Sequence, residues 1–181
     1  MREAEKQRLL ELAHRAVEMA ARERRPWEPP PESNPRLTPP RAVFVSLHKS
    51  GLLRGCIGQV VAHLPLHRAV AEAAYSAARE DPRFAPVSPE ELPEITVEIS
   101  VLSPFHPIRP EEIQVGVHGL MLSRGRLRGL LLPQVATHYD WKAPRFLEET
   151  CRKAGLPPDA WRHGATIEAF TAEVFRDEEK N

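Results

Sequence analysis

The segment Leu52-Leu53-Arg54-Gly55-Cys56-Ile57-Gly58 places a thiol, a guanidinium and two glycines in a stretch whose other residues favour a strand. A thiolate is a nucleophile, and a nearby cation favours thiolate over thiol. Alternation along a strand sends Arg54 and Cys56 to one face and Leu53, Gly55 and Ile57 to the other, so the two reactive groups become neighbours. Gly55 and Gly58 pack nothing in a strand and mark a bulge, or a place where a ligand or another backbone comes close. The plain alternative is that Cys56 is a small apolar filler and Arg54 a surface cation lying over its strand.

A nucleophilic cysteine needs a proton acceptor within reach, and Glu98, His118 and His63 are the candidates. Glu98 falls on the polar side of a strand. His118 sits between Gly116 and Gly119, where backbone could approach a ligand. Arg83, in Asp81-Pro82-Arg83-Phe84, offers a fork of donors for an anionic substrate group; its alternative is an ion pair with Asp81 that ends a helix. His63 and His67 have helical metal-ligand spacing, but Pro65 between them starts the helix there, so no metal site is expected. No phosphate-cradling loop, serine elbow or dinucleotide fingerprint is present, and no cofactor is expected.

The elements that must position these groups follow from periodicity. Residues 2–25 carry Leu9, Ala13, Ala16, Val17 and Ala20 as the apolar stripe of an amphipathic helix. Prolines crowd residues 26–40, which read as an ordered surface strap anchored by Trp27. Residues 42–48 and 52–61 form a hairpin about Lys49-Ser50-Gly51, with the cysteine on its second strand. Pro65 opens a helix that Asp81-Pro82 ends near Glu80, and Ser88-Pro89-Glu90-Glu91 caps a short turn. Residues 95–103 form the clearest strand, with Ile95, Val97, Ile99 and Val101 on one face and Thr96, Glu98 and Ser100 on the other. A second hairpin over residues 115–132 leads to a helix over 144–154; residues 166–175 form a terminal strand and 177–181 a solvated tail.

An internal repeat runs through this order. Gly51, Leu53, Arg54 and Gly55 recur as Gly125, Leu127, Arg128 and Gly129, and Gln59, Val60 and His63 recur as Gln134, Val135 and His138. Residues 42–80 and 116–154 thus read as two hairpin–helix copies, with Leu130 standing where the first copy has Cys56.

The residues also resemble a known family. Leu53-Arg54-Gly55-Cys56-Ile57-Gly58 is similar to the signature of the AMMECR family, named after the Alport syndrome, midface hypoplasia and elliptocytosis chromosomal region. Leu64-Pro65-Leu66, Asp81-Pro82-Arg83-Phe84, Pro89-Glu90-Glu91-Leu92-Pro93, Val97-Glu98-Ile99-Ser100-Val101-Leu102, Gly116-Val117-His118-Gly119 and Leu131-Leu132-Pro133-Gln134-Val135 match its members in the same order. The resemblance covers nearly the whole chain and supports Glu98 and His118, which stand inside matching motifs. It also implies a pathway link to Memo-type and radical S-adenosylmethionine proteins, with no reaction step defined.

The expectation is therefore an α+β protein: one AMMECR-type domain over residues 1–181, with a mixed, mainly antiparallel sheet from two hairpin–helix repeats flanked by helices, and room for a larger and a smaller lobe. With 41% hydrophobic residues in 181, the chain can bury a real core. Basic and acidic residues balance at 25 each, so no global field draws it to nucleic acid. No membrane span or leader is evident, and Cys56 and Cys151 suit a cytoplasmic protein with free thiols. In the first reading Cys56 is the nucleophile or covalent carrier of an enzyme acting on a small molecule or protein, with Arg54 beside the thiol, Glu98 or His118 as proton acceptor, and Arg83, Gly55 and Gly58 contacting substrate. In the second, the strand is structural and the chain a non-catalytic interaction module.

Overall fold

The computed structural model describes residues 1–177, so most of the expected tail, residues 178–181, lies outside the described residues. Asp177 itself is fixed: its carboxylate accepts from the Val97 amide at 2.7 Å and from the His14 ring at 2.9 Å. The chain forms two compact units, one of residues 1–101 with 174–177 and the other Leu102–Glu173. The α+β class holds, with the strands divided between two four-stranded sheets rather than gathered in one.

In the first unit, α1 (Glu3–Glu23) packs on α2 (Leu66–Arg79), and α2 lies against the hairpin of β1 (Val43–Lys49) and β2 (Leu52–Gln59). The sheet order is β2-β1-β3-β8, where β3 is Ile95–Leu102 and β8 is Ala172–Arg176. Val43, Val45 and Leu47 of β1 and Val97 and Ile99 of β3 are each fully buried in one core with Leu9, Ala13 and Ala16 of α1 and Val70 and Ala74 of α2. That burial follows the alternation, and it turns Phe44, Ser46, His48, Thr96 and Glu98 to the opposite face.

The proline strap is tied to the start of α2. Leu66 and His67 donate their amides to the carbonyls of Pro39 and Leu37 at 3.1 Å each, and Leu37 is fully buried.

The second unit has the sheet order β4-β7-β5-β6: β4 is His106–Pro107, β5 Gly119–Arg124, β6 Leu127–Leu131 and β7 Thr166–Phe170. Its core gathers Leu120 and Leu122 with Phe146, Leu147 and Cys151 of α4 (Ala143–Lys153). The single terminal strand expected over 166–175 is two. Thr171 separates β7 from β8 by exchanging hydrogen bonds with Ser103, its amide to the hydroxyl at 2.9 Å and its carbonyl from the amide at 2.8 Å.

The repeated glycines do similar work. A Cβ on Gly55 would collide with the carbonyl oxygen of Ala77 in α2, and one on Gly129 with the backbone of Lys153 and Ala154 at the end of α4. The two copies differ in the stretch between hairpin and packed helix. Gln59 ends β2, whereas Gln134 and Val135 lie in α3 (Pro133–His138), a helical turn that Pro133 opens and that the periodicity did not reveal.

Candidate functional site

Cys56 is half-buried on β2 and pairs directly with Ser46 on β1, which pairs in turn with Glu98 on β3. The three side chains form one row across the sheet, on the face turned away from α2. Directly opposite residues stand about 4.5–5.5 Å apart at Cβ, so Ser46 lies between thiol and carboxylate in that row. Its hydroxyl donates to the Cys56 sulfur at 3.2 Å. Ser46 was not among the sequence candidates: counting back from the Ser50-Gly51 turn sets it opposite Gly55, and only the bulge at Arg54 brings Cys56 into that place.

Arg54 does not serve the thiol as alternation suggested. The pairing shifts between Leu47 and His48, leaving Arg54 as the extra residue of a bulge. Its Nε and Nη2 grip the two oxygens of Glu91 at 3.0 and 2.9 Å, and Nη1 donates to the carbonyl of Ala85 at 2.8 Å. Glu91 also accepts from the Ser88 amide at 3.0 Å and Lys49 Nζ at 3.3 Å, and this cation-rich setting, Arg54 foremost, pulls its carboxyl down to about 2.

The cation at Cys56 is Arg83. Its Nη2 donates to the Cys56 carbonyl at 3.4 Å, and its fork is otherwise filled by Asp81, with Nε at 3.0 Å and Nη2 at 2.7 Å. Asp81 is buried and accepts from the Cys56 amide at 2.9 Å and the Arg83 amide at 3.1 Å. Hydrogen bonding from Arg83 holds the Asp81 carboxyl far below the ordinary carboxylate range, against the opposing effect of burial. Since β2 is an edge strand, Asp81 and Arg83 occupy the donor and acceptor that Cys56 presents beyond the sheet. The ion pair weighed as the plain alternative for Arg83 is thus present, and half of the Arg83 side chain remains exposed.

The glycines approach protein rather than open space. Gly55 faces Ala77, and a Cβ on Gly58 would strike the Phe44 ring and the Val43 carbonyl. His118 belongs to the second unit, on the turn before β5 rather than on a strand. Its Nδ1 accepts from the Gln114 amide at 3.1 Å, a local contact within the turn. The chemistry-bearing groups gathered within the first unit are therefore Cys56, Ser46, Glu98, Asp81 and Arg83. Asp81 and Glu91 escaped the sequence reading as site residues, although each stands in a motif that carried the family resemblance. Both cysteines are free, and no cluster of metal-ligating side chains occurs among the described residues. Nor is any described helix long and apolar enough to cross a membrane.

Comparison with known proteins agrees with this architecture. A protein from Thermococcus gammatolerans is 47% identical over 182 residues, covering 94% of this chain and 89% of its own. One from Methanothermobacter thermautotrophicus is 52% identical over 146 residues, covering 76% of each chain. The crystal structure of an uncharacterized protein from Pyrococcus horikoshii superposes with a TM-score of 0.87 at 42% identity, covering 94% of this chain and 90% of that one. The family model described as AMMECR1 matches residues 10–175, and the chain belongs to the AMMECR1 family.

Proposed function

We propose that this protein is a cysteine-dependent enzyme in which Cys56 is the nucleophile or covalent carrier. The observation that carries the reading is the row Cys56–Ser46–Glu98, with the Ser46 hydroxyl aimed at the sulfur. In the reacting state the thiol donates to the Ser46 oxygen, whose hydroxyl turns from the sulfur to hand its own proton to the Glu98 carboxylate. Meanwhile the sulfur adds to an unsaturated electrophilic carbon of the substrate, and the π pair of that bond moves onto the more electronegative atom. Arg83 is paired with Asp81 through Nε and Nη2, and its exposed Nη1 edge is the donor an anionic substrate group would meet near Cys56. Arg54 holds the 85–91 loop against the hairpin. The family resemblance to partners of Memo-type and radical S-adenosylmethionine proteins supports an enzymatic setting.

Alkylation of the two thiols tests it. Cys151 is fully buried and its thiol is pushed up by that burial, so iodoacetamide should label Cys56 in the folded protein and reach Cys151 only in denaturant. Ser46→Ala should slow Cys56 labelling about tenfold, the effect of one hydrogen bond to a charged group, and Glu98→Gln should move its pH profile. Equal slow labelling of both thiols, or rates indifferent to both variants, rejects the reading.

A non-catalytic interaction module is the second reading. Its support is that Arg54, Gly55 and Gly58 each have a partner within the chain, which accounts for them without substrate. A Cys56→Ala protein that folds and still binds its partner while showing no lost reaction favours it.

A further inference from the structure

The strap and α2 enclose a groove of about 480 Å³ in the first unit, away from the Cys56 row. Its floor is the half-buried Trp27, Leu64 and Tyr75, which pack on the core with one side left to solvent. Its walls carry three carboxylates. Glu28 is already paired with Arg68, the groove's one guanidinium. Glu72 is held by the Gln59 amide and Glu80 by the Ser76 hydroxyl at 2.6 Å, both neutral donors. Among the described residues neither of these two carboxylates has an ion pair, so two negative charges face an aromatic surface, and the carboxyl end of α2 adds its own partial negative charge.

The lining residues Arg68, Glu72, Tyr75 and Glu80 follow one stripe of α2 and the residue capping it. At 1.5 Å per residue that stripe is about 18 Å long, the span of about five residues of extended chain. A compact cation would use only part of it. We propose that this groove docks an extended basic peptide of a partner protein, with arginine side chains stacked on Trp27 and Tyr75 and paired with Glu72 and Glu80. The strap is already bonded to α2 through Leu37 and Pro39, so the site needs little ordering on binding.

Fluorescence anisotropy with labelled pentaarginine measures this on the whole chain, with pentaglutamate and spermine as competitors. Binding should be displaced by neither competitor at equal concentration and should weaken about tenfold in Glu72→Gln/Glu80→Gln, in line with losing two exposed charge pairs. Tyr75→Phe should bind as the parent does and Tyr75→Ala more weakly. The double variant Glu148→Gln/Glu149→Gln removes the same charge from the second unit and should change nothing. Equal weakening in both double variants would reveal unspecific attraction and overturn the proposal; so would spermine competing as well as the peptide, or no binding of pentaarginine.

Discussion

Gly55→Ala should lower the stability of the first unit by about 3 kcal/mol, the upper range for overpacking a core. That corresponds to a fall of about 6–12 °C in melting temperature for a chain of this size. The new methyl would enter the space of the Ala77 carbonyl oxygen, with the carbonyl carbon at 3.1 Å. Neither is a flexible side-chain end that could swing aside. α2 cannot retreat, because Ala73, Ala74 and Ala77 are buried on the same core and its first turn is bonded to the strap. Gly51→Ala is the control: its φ of +75° strains a side chain, but the added methyl meets nothing within 4 Å, so the loss there is about 1 kcal/mol. Urea midpoints decide it, and equal midpoints for the two variants would show that α2 can back away.

Asp81→Ala should cost about 2–3 kcal/mol, because it strips the partner from the Cys56 amide and from the fork of Arg83 together. The same carboxylate gives the stability a pH dependence of fixed sign. Its folded-state pKa, like that of Glu91, lies below the unfolded value, so the unfolded chain takes up protons first as pH falls. The stabilisation is complete above about pH 5 and drains as acid is added. The Glu91 share is lost around its value of about 2, while that of Asp81 persists further into acid. Stability measured from pH 7 to pH 2 should therefore fall less steeply in Asp81→Ala and Glu91→Gln than in the parent. A parent curve flat down to pH 3 would contradict this.

Elements with a long apolar stripe or a strict alternation were legible from the residues. α1, α2, β3 and both hairpins fall within a few residues of expectation, because each buries a face whose period is written in its own sequence. Alternation also placed Glu98 on the polar face. What it cannot specify is which strand pairs with which, so the division into two sheets and the break at Thr171 were hidden. Arg54 was misjudged for a related reason: its partner Glu91 is thirty-seven positions away, and a bulge upsets the alternation at that residue. His118 looked like a strand residue between glycines, but Gly116, with a φ of +86°, turns the chain before the strand begins.

The first unit is interrupted in sequence: β8 completes its sheet only after the whole of Leu102–Glu173 has been made. On a ribosome adding about 5–20 residues per second, the far edge of β3 stays bare for several seconds. Throughout that interval β3 offers unpaired amides and carbonyls to any neighbouring nascent chain. The second unit is continuous and can mature while the first waits. Order of synthesis therefore sets a window of aggregation risk that ends with the last strand, and a nascent chain released before β8 would never leave it.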